Sequence, residues 1–173
     1  MALIDGMLQE LEQEAQTTKR VLERVPQAHL AWKPHEKSMS MGRLAGHVAE
    51  LPGWAIQTVR VEVLDLTPEG GPPMQAYSVR SVTEMLETFD KNVSEGRAAI
   101  AGATDEHLHK MWSLKFRGQI VLTMPRSAVL RNVVMNHLIH HRAQLGVYLR
   151  LNDVAIPGMY GPSADEGRMF AAQ

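Results

Sequence analysis

The chain has 173 residues, a formal net charge of −1 and no cysteine. The lack of cysteine excludes disulfides, thiolate-bound zinc, iron–sulfur clusters and a cysteine nucleophile. The near-zero charge provides no field for binding nucleic acid or an anionic membrane, and no apolar run reaches membrane-spanning length. With no signal-peptide pattern at the N-terminus, we expect a single domain over 1–173 that is cytoplasmic and takes a small-molecule substrate, with no nucleic-acid or membrane partner.

Four segments repeat apolar residues at helical spacing, and the first two are bounded by prolines and serines. The first helix is predicted near 2–25, with an apolar stripe along one face, and ends before Pro26. The second is predicted near 40–64, after serines that can cap its first turn. Pro52 interrupts its stripe and predicts a kink there.

The remaining two helices follow the same pattern. The third is predicted near 81–102, where Ser81 and Glu84 have the spacing of a capping box. The fourth is predicted near 126–151, after Pro125. Together the four stripes predict an all-α fold, a four-helix bundle in which each helix buries one face.

The connections refine this prediction. Residues 65–80 are rich in proline and glycine, and when extended they reach roughly 50 Å, farther than the second helix at ~35 Å. The third helix can therefore run parallel to the second, which gives a bundle with one long crossover connection. Alternating residues around Arg117-Gly118 predict a small hairpin, and the capping-box spacing of Ser163 and Glu166 predicts a short final helix.

Three histidines are predicted to face the bundle interior. His137 and His141 are four residues apart within the apolar stripe of the fourth helix, so their rings point the same way, and His47 lies in the stripe of the second helix. A single inward histidine is more often a hydrogen-bonded core residue, but three buried imidazoles need partners for several nitrogens. If these two helices are antiparallel, the rings lie at one level. The pattern therefore predicts one divalent metal ion bound by His47, His137 and His141.

The other histidines are weaker candidates. His140 flanks the stripe and is expected at the rim of the site, where it would contribute less to metal binding. The single Glu-x-x-His spacing at Glu106 lies in a linker, whereas di-iron bundles need two copies on helices. Leu138 replaces the glutamate of the zinc-protease motif. Four further histidines fall in connections and are expected in solvent: His29, His35, His107 and His109.

Two segments resemble the DinB/YfiT-like family, which is unrelated to the DNA polymerase that shares the DinB label. They are Gly46-His47 and the run from Asn136 to Arg150 with its His-His-Arg-Ala-Gln core, and the tail Ile156–Glu166 is also similar. The resemblance covers essentially the whole chain. Ala143 stands where glycine is more usual, but it lies off the ligand stripe. The resemblance implies a four-helix bundle, a three-histidine site that takes nickel or zinc, and frequent dimers.

The resemblance also implies a class of reaction. Some relatives resemble transferases of low-molecular-weight thiols, so the expected function is a metal-dependent transfer of such a thiol to an electrophile. Arg142, Arg150 and Arg168 are candidates to line a thiol pocket, or else solvated surface arginines. A metal-dependent hydrolase and a non-catalytic metal-binding stress protein remain as alternatives. Trp54 and Ile56 favour a homodimer unless they pack under the 65–80 connection.

Overall fold

The computed structural model describes residues 3–166, most of which are helical. The helices are α1 (Leu3–Leu22), α2 (Met41–Glu50), α3 (Trp54–Arg60), α4 (Val82–Ala101), α5 (Asp105–His109), α6 (Arg126–Val129) and α7 (His137–Arg150). Short 3₁₀ turns lie at Gln27–His29 and Leu51–Gly53, and a π-helical segment, Leu130–Asn136, joins α6 to α7. Within the described range, every helix is too short or too polar to cross a membrane.

The four predicted helices are present, and the second and third are capped by serines, as the sequence predicts. The Ser40 hydroxyl accepts a hydrogen bond from the Arg43 amide at 3.2 Å, and the Ser81 hydroxyl accepts one from the Glu84 amide at 3.1 Å. The second helix is split into α2 and α3 by the 3₁₀ turn that contains Pro52. Proline lacks the amide hydrogen that would continue the α-helical ladder, which explains the break.

Contacts between the helices establish their directions. Asn92 donates to the Ala49 carbonyl at 2.8 Å, and one turn later Gly96 lies against Pro52, so α4 runs parallel to α2 and α3. A Cβ on Gly96 would lie 2.5 Å from the Pro52 carbonyl oxygen, so glycine allows this close approach. The Tyr148 hydroxyl donates to the Met39 carbonyl at 3.2 Å, before the start of α2, which makes α7 antiparallel to α2. The long crossover and the antiparallel pair are both confirmed.

A small three-stranded sheet is added to the bundle in the order β1-β2-β3. The strands are β1 (Val63–Asp65), β2 (Met111–Phe116) and β3 (Gln119–Pro125), with β1 parallel and β3 antiparallel to β2. The predicted hairpin is confirmed, since Arg117 and Gly118 form its two-residue turn with φ of 52° and 73°. Buried Arg126 connects the sheet to the bundle by donating to the carbonyls of Met111 and Val61, each at 3.1 Å.

Three details differ from the sequence prediction. The second helix ends at Arg60 rather than near residue 64, because Val63–Asp65 pairs with β2 instead of continuing the helix. Helix α5, capped by the Thr104 hydroxyl, was not predicted in the linker before the hairpin. Residues 163–166 form a turn rather than a helix, and the rest of that predicted helix lies outside the described residues.

Two clusters of buried side chains form the core. The larger packs α1, α2, α4 and α7 together, and the smaller joins the start of α1 to α3, the end of α4 and the π-helical segment. The predicted stripe of α1 is confirmed, with Leu11, Thr18 and Leu22 at most 1% exposed. The histidine-bearing faces of α2 and α7 lie at the margin of this core.

Candidate metal centre

The structure brings the three predicted ligand residues together. The Nε2 atom of His137 lies 2.9 Å from Nε2 of His141 and 3.4 Å from Nε2 of His47. The nitrogens that could bind an ion all lie within 4.8 Å of one another, and the three rings are partly buried. Because α7 is antiparallel to α2, one turn of α7 presents two rings to a single ring on α2.

The opposite ring nitrogens face hydrogen-bond acceptors. Nδ1 of His137 lies 3.3 Å from the Val133 carbonyl oxygen, and Nδ1 of His141 lies 2.7 Å from the side-chain oxygen of Gln144. Since an acceptor requires a proton on Nδ1, both rings keep their Nε2 lone pairs for the centre of the site. Nδ1 of His47 is buried 3.8 Å from a Glu50 carboxylate oxygen, with no hydrogen-bond partner in the described chain.

This donor set fits a divalent ion. The Nε2 lone pairs of His137 and His141, 2.9 Å apart, repel each other unless a cation or a proton lies between them. Imidazole nitrogens bound to tetrahedral zinc at about 2.0–2.1 Å lie about 3.3 Å apart, close to the separations of the Nε2 atoms. His47, His137 and His141 would hold the ion, and Gln144, Glu50 and the Val133 carbonyl would orient their rings.

Burial keeps the histidines in the form that binds metal. Burial, reinforced by the proximity of His141 and His47, lowers the pKa of His137 to about 4. Burial is also the main cause that lowers the pKa of His141, against the hydrogen bond that the His141 ring donates to the Gln144 oxygen, which raises it. Both imidazoles are therefore neutral near pH 7, which is the protonation state that ligates metal ions.

The π-helical segment ends immediately before His137 and contains Val133, whose carbonyl faces the His137 ring. Such segments alter the register of a helix by one residue per turn and are frequent at functional sites. No proline or glycine in this stretch signals the irregularity. Sequence reasoning missed it for that reason.

His47 also borders a hollow of about 230 Å³ that opens between α2 and the crossover. Its wall is mostly apolar, with two charged residues, Arg43 and Glu50, on the same face of α2 as His47. The remaining lining comes from the crossover, the hairpin and α3: Trp54, Leu66, Thr67, Pro73, Met74, Gln75, Ala76 and Phe116. A small molecule bound there would lie directly beside His47.

Arg43 and Glu50 are site residues that sequence reasoning did not identify. One Glu50 oxygen accepts from Arg43 Nη1 at 3.2 Å and from the Tyr77 amide at 2.7 Å, which fixes the crossover to α2. The other oxygen faces His47. Their spacing from His47, four residues before and three after, places them on one helix face and is the signal that could have found them. Gln144, three residues after His141, carries the same signal.

Two of the three arginines predicted to line a thiol pocket lie elsewhere. Arg142 is fully buried against α1, where its guanidinium pairs with the Glu14 carboxylate at 2.7 Å. Arg150 is exposed and forms an ion pair with Asp165 in the tail. Neither lines the hollow beside His47. Arg168 lies outside the described residues.

The remaining histidines lie away from the centre, with one exception. His140 is exposed, but its ring lies 4.8 Å from that of His141 and its Nε2 lies 3.1 Å from the Gln144 side-chain nitrogen. It therefore occupies the predicted rim position. His35 and His109 are exposed as predicted, whereas His29 is partly buried. His107 is also partly buried, because its ring bonds to the Val59 carbonyl at 2.9 Å.

Relatives of this chain share its length and its fold. The uncharacterized protein YrdA of Bacillus subtilis (strain 168) is 26% identical over 172 residues, which cover 98% of this chain and 95% of YrdA. A DinB-like protein from Bacillus cereus ATCC 10987 superposes with a TM-score of 0.69 at 22% identity, covering 90% of this chain and 97% of the other. The DinB-like protein YjoA from Bacillus subtilis gives 0.67 at 19% identity, covering 89% and 96%.

At these identities the two structural likenesses establish the fold alone. The family follows from the sequence, because the model of the DinB family matches residues 2–169, nearly the whole chain. The matched segment contains His47, His137 and His141 as well as the crossover and the hairpin. The chain therefore belongs to the DinB family.

Proposed function

We propose that this protein binds one divalent metal ion, nickel or zinc, through His47, His137 and His141, and transfers a low-molecular-weight thiol to an electrophile. The observation that carries the proposal is the convergence of three imidazole rings: His137 and His141 have Nδ1 atoms that face acceptors, and His47 lines a hollow. When bound, a divalent ion at these nitrogens would stabilise the thiolate form of a thiol near neutral pH.

The chain's own residues would bind and orient the reactants. The apolar wall would exclude water around the sulfur atom, and the crossover, held to α2 by Glu50, would close over it. In the transfer, the thiol proton passes to solvent and the sulfur forms a bond to an electrophilic carbon. The bond from that carbon to its leaving group breaks, and the leaving group departs with the electron pair.

A hydrolase that relies on a protein base would need that base beside the attacking water. Glu50 is the acidic residue that lines the hollow in the described part of the chain, and one of its oxygens already accepts two hydrogen bonds while the other faces His47. This leaves it poorly placed to accept a proton from water and disfavours a base-assisted hydrolase. Hydrolysis by metal-bound hydroxide needs no such base and stays the alternative that the activity assay must separate from thiol transfer.

Metal binding is tested by calorimetric titration of metal-free protein with nickel and with zinc. We expect one ion per chain for the wild type and no stoichiometric binding for His137→Ala. His140→Ala is the matched control and should weaken binding less, since His140 lies at the rim. Equal binding by wild type and His137→Ala would reject the centre.

Thiol transfer is tested separately with metal-loaded protein, glutathione and 1-chloro-2,4-dinitrobenzene, with the S-conjugate measured by its absorbance. The expected result is conjugate formation that depends on the metal and on His137. Metal binding without thiol transfer, but with hydrolysis of 4-nitrophenyl acetate, would favour the hydrolase. Metal binding with neither activity would favour a non-catalytic role.

A homodimer and a cytoplasmic location remain part of the proposal. Trp54 and Ile56 border a hollow that the crossover residues Met74 and Tyr77 also line, so packing beneath the crossover accounts for at least part of their apolar surface. The dimer therefore depends on the family resemblance, and sedimentation at micromolar concentration tests it. A monomer would reject it.

A further inference from the structure

The hollow beside His47 has an uneven distribution of charge. Its lining contains Arg43, Glu50 and His47 as the ionisable residues, among otherwise apolar and uncharged side chains. Glu50 is already compensated, because one oxygen accepts from Arg43 and from the Tyr77 amide and the other faces His47. The side chain of Glu50 is only 16% exposed, whereas that of Arg43 is 33% exposed.

Arg43 retains unused capacity to bind an anion. Its side chain donates from Nη1 to Glu50, whereas a guanidinium has five N–H donors in a planar fork that suits a carboxylate. It stands one helical turn before His47, on the same face of α2. It is also close enough to His141 for its charge to contribute to lowering the pKa of that residue.

The net charge of the metal-loaded site indicates which charged groups its ligand carries. The three imidazoles are neutral ligands, and the charges of Arg43 and Glu50 cancel, so a divalent ion leaves the site with a net charge of about +2. A thiolate neutralises only one of these charges. A second negative group on the same molecule would complete the neutralisation, and Arg43 is positioned to receive it.

We propose that Arg43 recognises a carboxylate of the bound ligand, so that the pocket selects thiols that carry a carboxylate over neutral thiols. This inference rests on the proposed function for the thiol end of the ligand. The carboxylate end depends only on Arg43 and the hollow. Arg43 thus sets specificity, whereas the histidines bind the metal.

The competing role for Arg43 is purely structural, since it could serve only to hold Glu50 and, through it, His47. The two roles predict different patterns of loss. A structural role would weaken metal binding and all thiols alike when Arg43 is replaced. A recognition role would weaken only ligands with a carboxylate.

The experiment uses cobalt-loaded protein, in which thiol binding is followed by the visible absorption of the ion. The probes are 3-mercaptopropionate and 3-mercaptopropan-1-ol, which have the same chain length and differ in the carboxylate. We expect the wild type to bind the acid about tenfold more tightly, as for a charge-assisted hydrogen bond. Arg43→Met should lower the affinity for the acid to that for the alcohol, measured as the ratio of the two affinities in the same variant, and Arg43→Lys should retain part of the preference.

Arg97→Met is the matched control, because Arg97 is an exposed arginine on the groove between α1 and α4. It should keep the full preference for the acid. The inference is overturned if Arg43→Met keeps the preference, if it weakens both thiols equally, or if the wild type does not discriminate between them.

If neither thiol alters the cobalt spectrum, the proposed thiol chemistry fails, and a second pair of probes still decides the role of Arg43. These are 3-phenylpropionate and 3-phenylpropan-1-ol, titrated calorimetrically into the same cobalt-loaded proteins. A preference for the acid that Arg43→Met removes would support carboxylate recognition. The absence of such a preference, or its persistence in Arg43→Met, would reject it.

Discussion

Two polar clusters lie on different faces of α7, and they are built around the adjacent residues His141 and Arg142. His141 faces α2, where the Nε2 atoms of three imidazoles converge and that of His137 lies 2.9 and 3.4 Å from the other two. Arg142 faces α1, where its Nη1 pairs with Glu14 and with the Thr18 hydroxyl, and its Nη2 donates to the Tyr160 hydroxyl at 2.7 Å. Both clusters bring polar atoms together at a helix interface.

The difference between them is whether the protein satisfies its own polar groups. The Tyr160 hydroxyl accepts from Arg142 and donates to the Glu14 carboxylate at 2.9 Å, so the charges are paired inside the molecule, and Nε is the one guanidinium nitrogen without a hydrogen-bond partner in the described chain. At the histidines, the matching groups lie behind the rings and the lone pairs in front have no donor. A satisfied cluster stabilises the fold, whereas an unsatisfied, converging one is built for a ligand.

The largest expected effect comes from breaking the satisfied cluster. Arg142→Met leaves the buried Glu14 carboxylate without its counter-charge, so we expect the free energy of unfolding to fall by about 3–5 kcal/mol. Urea denaturation followed by circular dichroism measures it. Only the stability should change greatly, because Arg142 does not line the histidine centre.

The double variant Glu14→Met, Arg142→Met is the matched control. Removing both charges eliminates the unpaired carboxylate, so most of the lost stability should return. If Arg142→Met costs less than about 1 kcal/mol, the cluster is not the buried ion pair that its geometry indicates.

The next effect comes from filling the unsatisfied cluster. A metal ion that binds only the native state at 100 times its Kd should raise the free energy of unfolding by about 2.7 kcal/mol. Thermal melts with and without zinc measure this as an increase in Tm. His137→Ala should show no increase and His140→Ala should retain most of it, whereas an equal increase in all three would place the metal elsewhere.

The two clusters also differ in how far the sequence predicts them. His47, His137 and His141 lie on apolar stripes whose helical period is plain, so their convergence follows once α2 and α7 are antiparallel. Arg142 lies beside this stripe and was interpreted as a pocket or surface residue. Its partners in the structure, Glu14 and Tyr160, are 128 and 18 residues away in the sequence, and no local pattern predicts such a pairing.

The same reasoning applies to the fold. The four helices, the hairpin and the crossover were predicted because periodicity, caps and turn residues are local signals. Strand β1 was missed because it is three residues long and depends on pairing with β2, about fifty residues later. The π-helical segment was missed because no proline or glycine marks it, whereas Arg43 could have been found from its spacing of four residues before His47.

A smaller effect on metal affinity is expected from the residues that accept hydrogen bonds from the Nδ1 atoms of the histidines. Gln144→Ala removes the oxygen that faces Nδ1 of His141, so the ring loses its fixed orientation and tautomer. We expect metal affinity to fall about 10- to 100-fold, as is usual when such a partner is removed. Competition with a chelator of known affinity measures the change. Gln144→Glu keeps an acceptor and should retain most of the affinity, and an equal loss in both variants would show that the acceptor is not what matters.

The smallest effect expected is the pH dependence of the metal-free protein. Because the folded-state pKa of His137 is lowered to about 4 from an ordinary value of 6.5, the unfolded chain takes up the proton more readily between these values. Stability contributed by neutral His137 is therefore present above pH 6.5 and is lost as pH falls toward 4. Allowing for solvent screening at a half-buried ring, we expect a loss of about 1 kcal/mol across this window.

Urea denaturation of wild type and His137→Gln at several pH values measures this loss. Carboxyl groups that titrate elsewhere in the protein affect both proteins equally, so the difference between the two curves reports on His137. The wild type should lose more stability on acidification than the variant, and parallel curves would show that the centre does not disfavour protonation of His137.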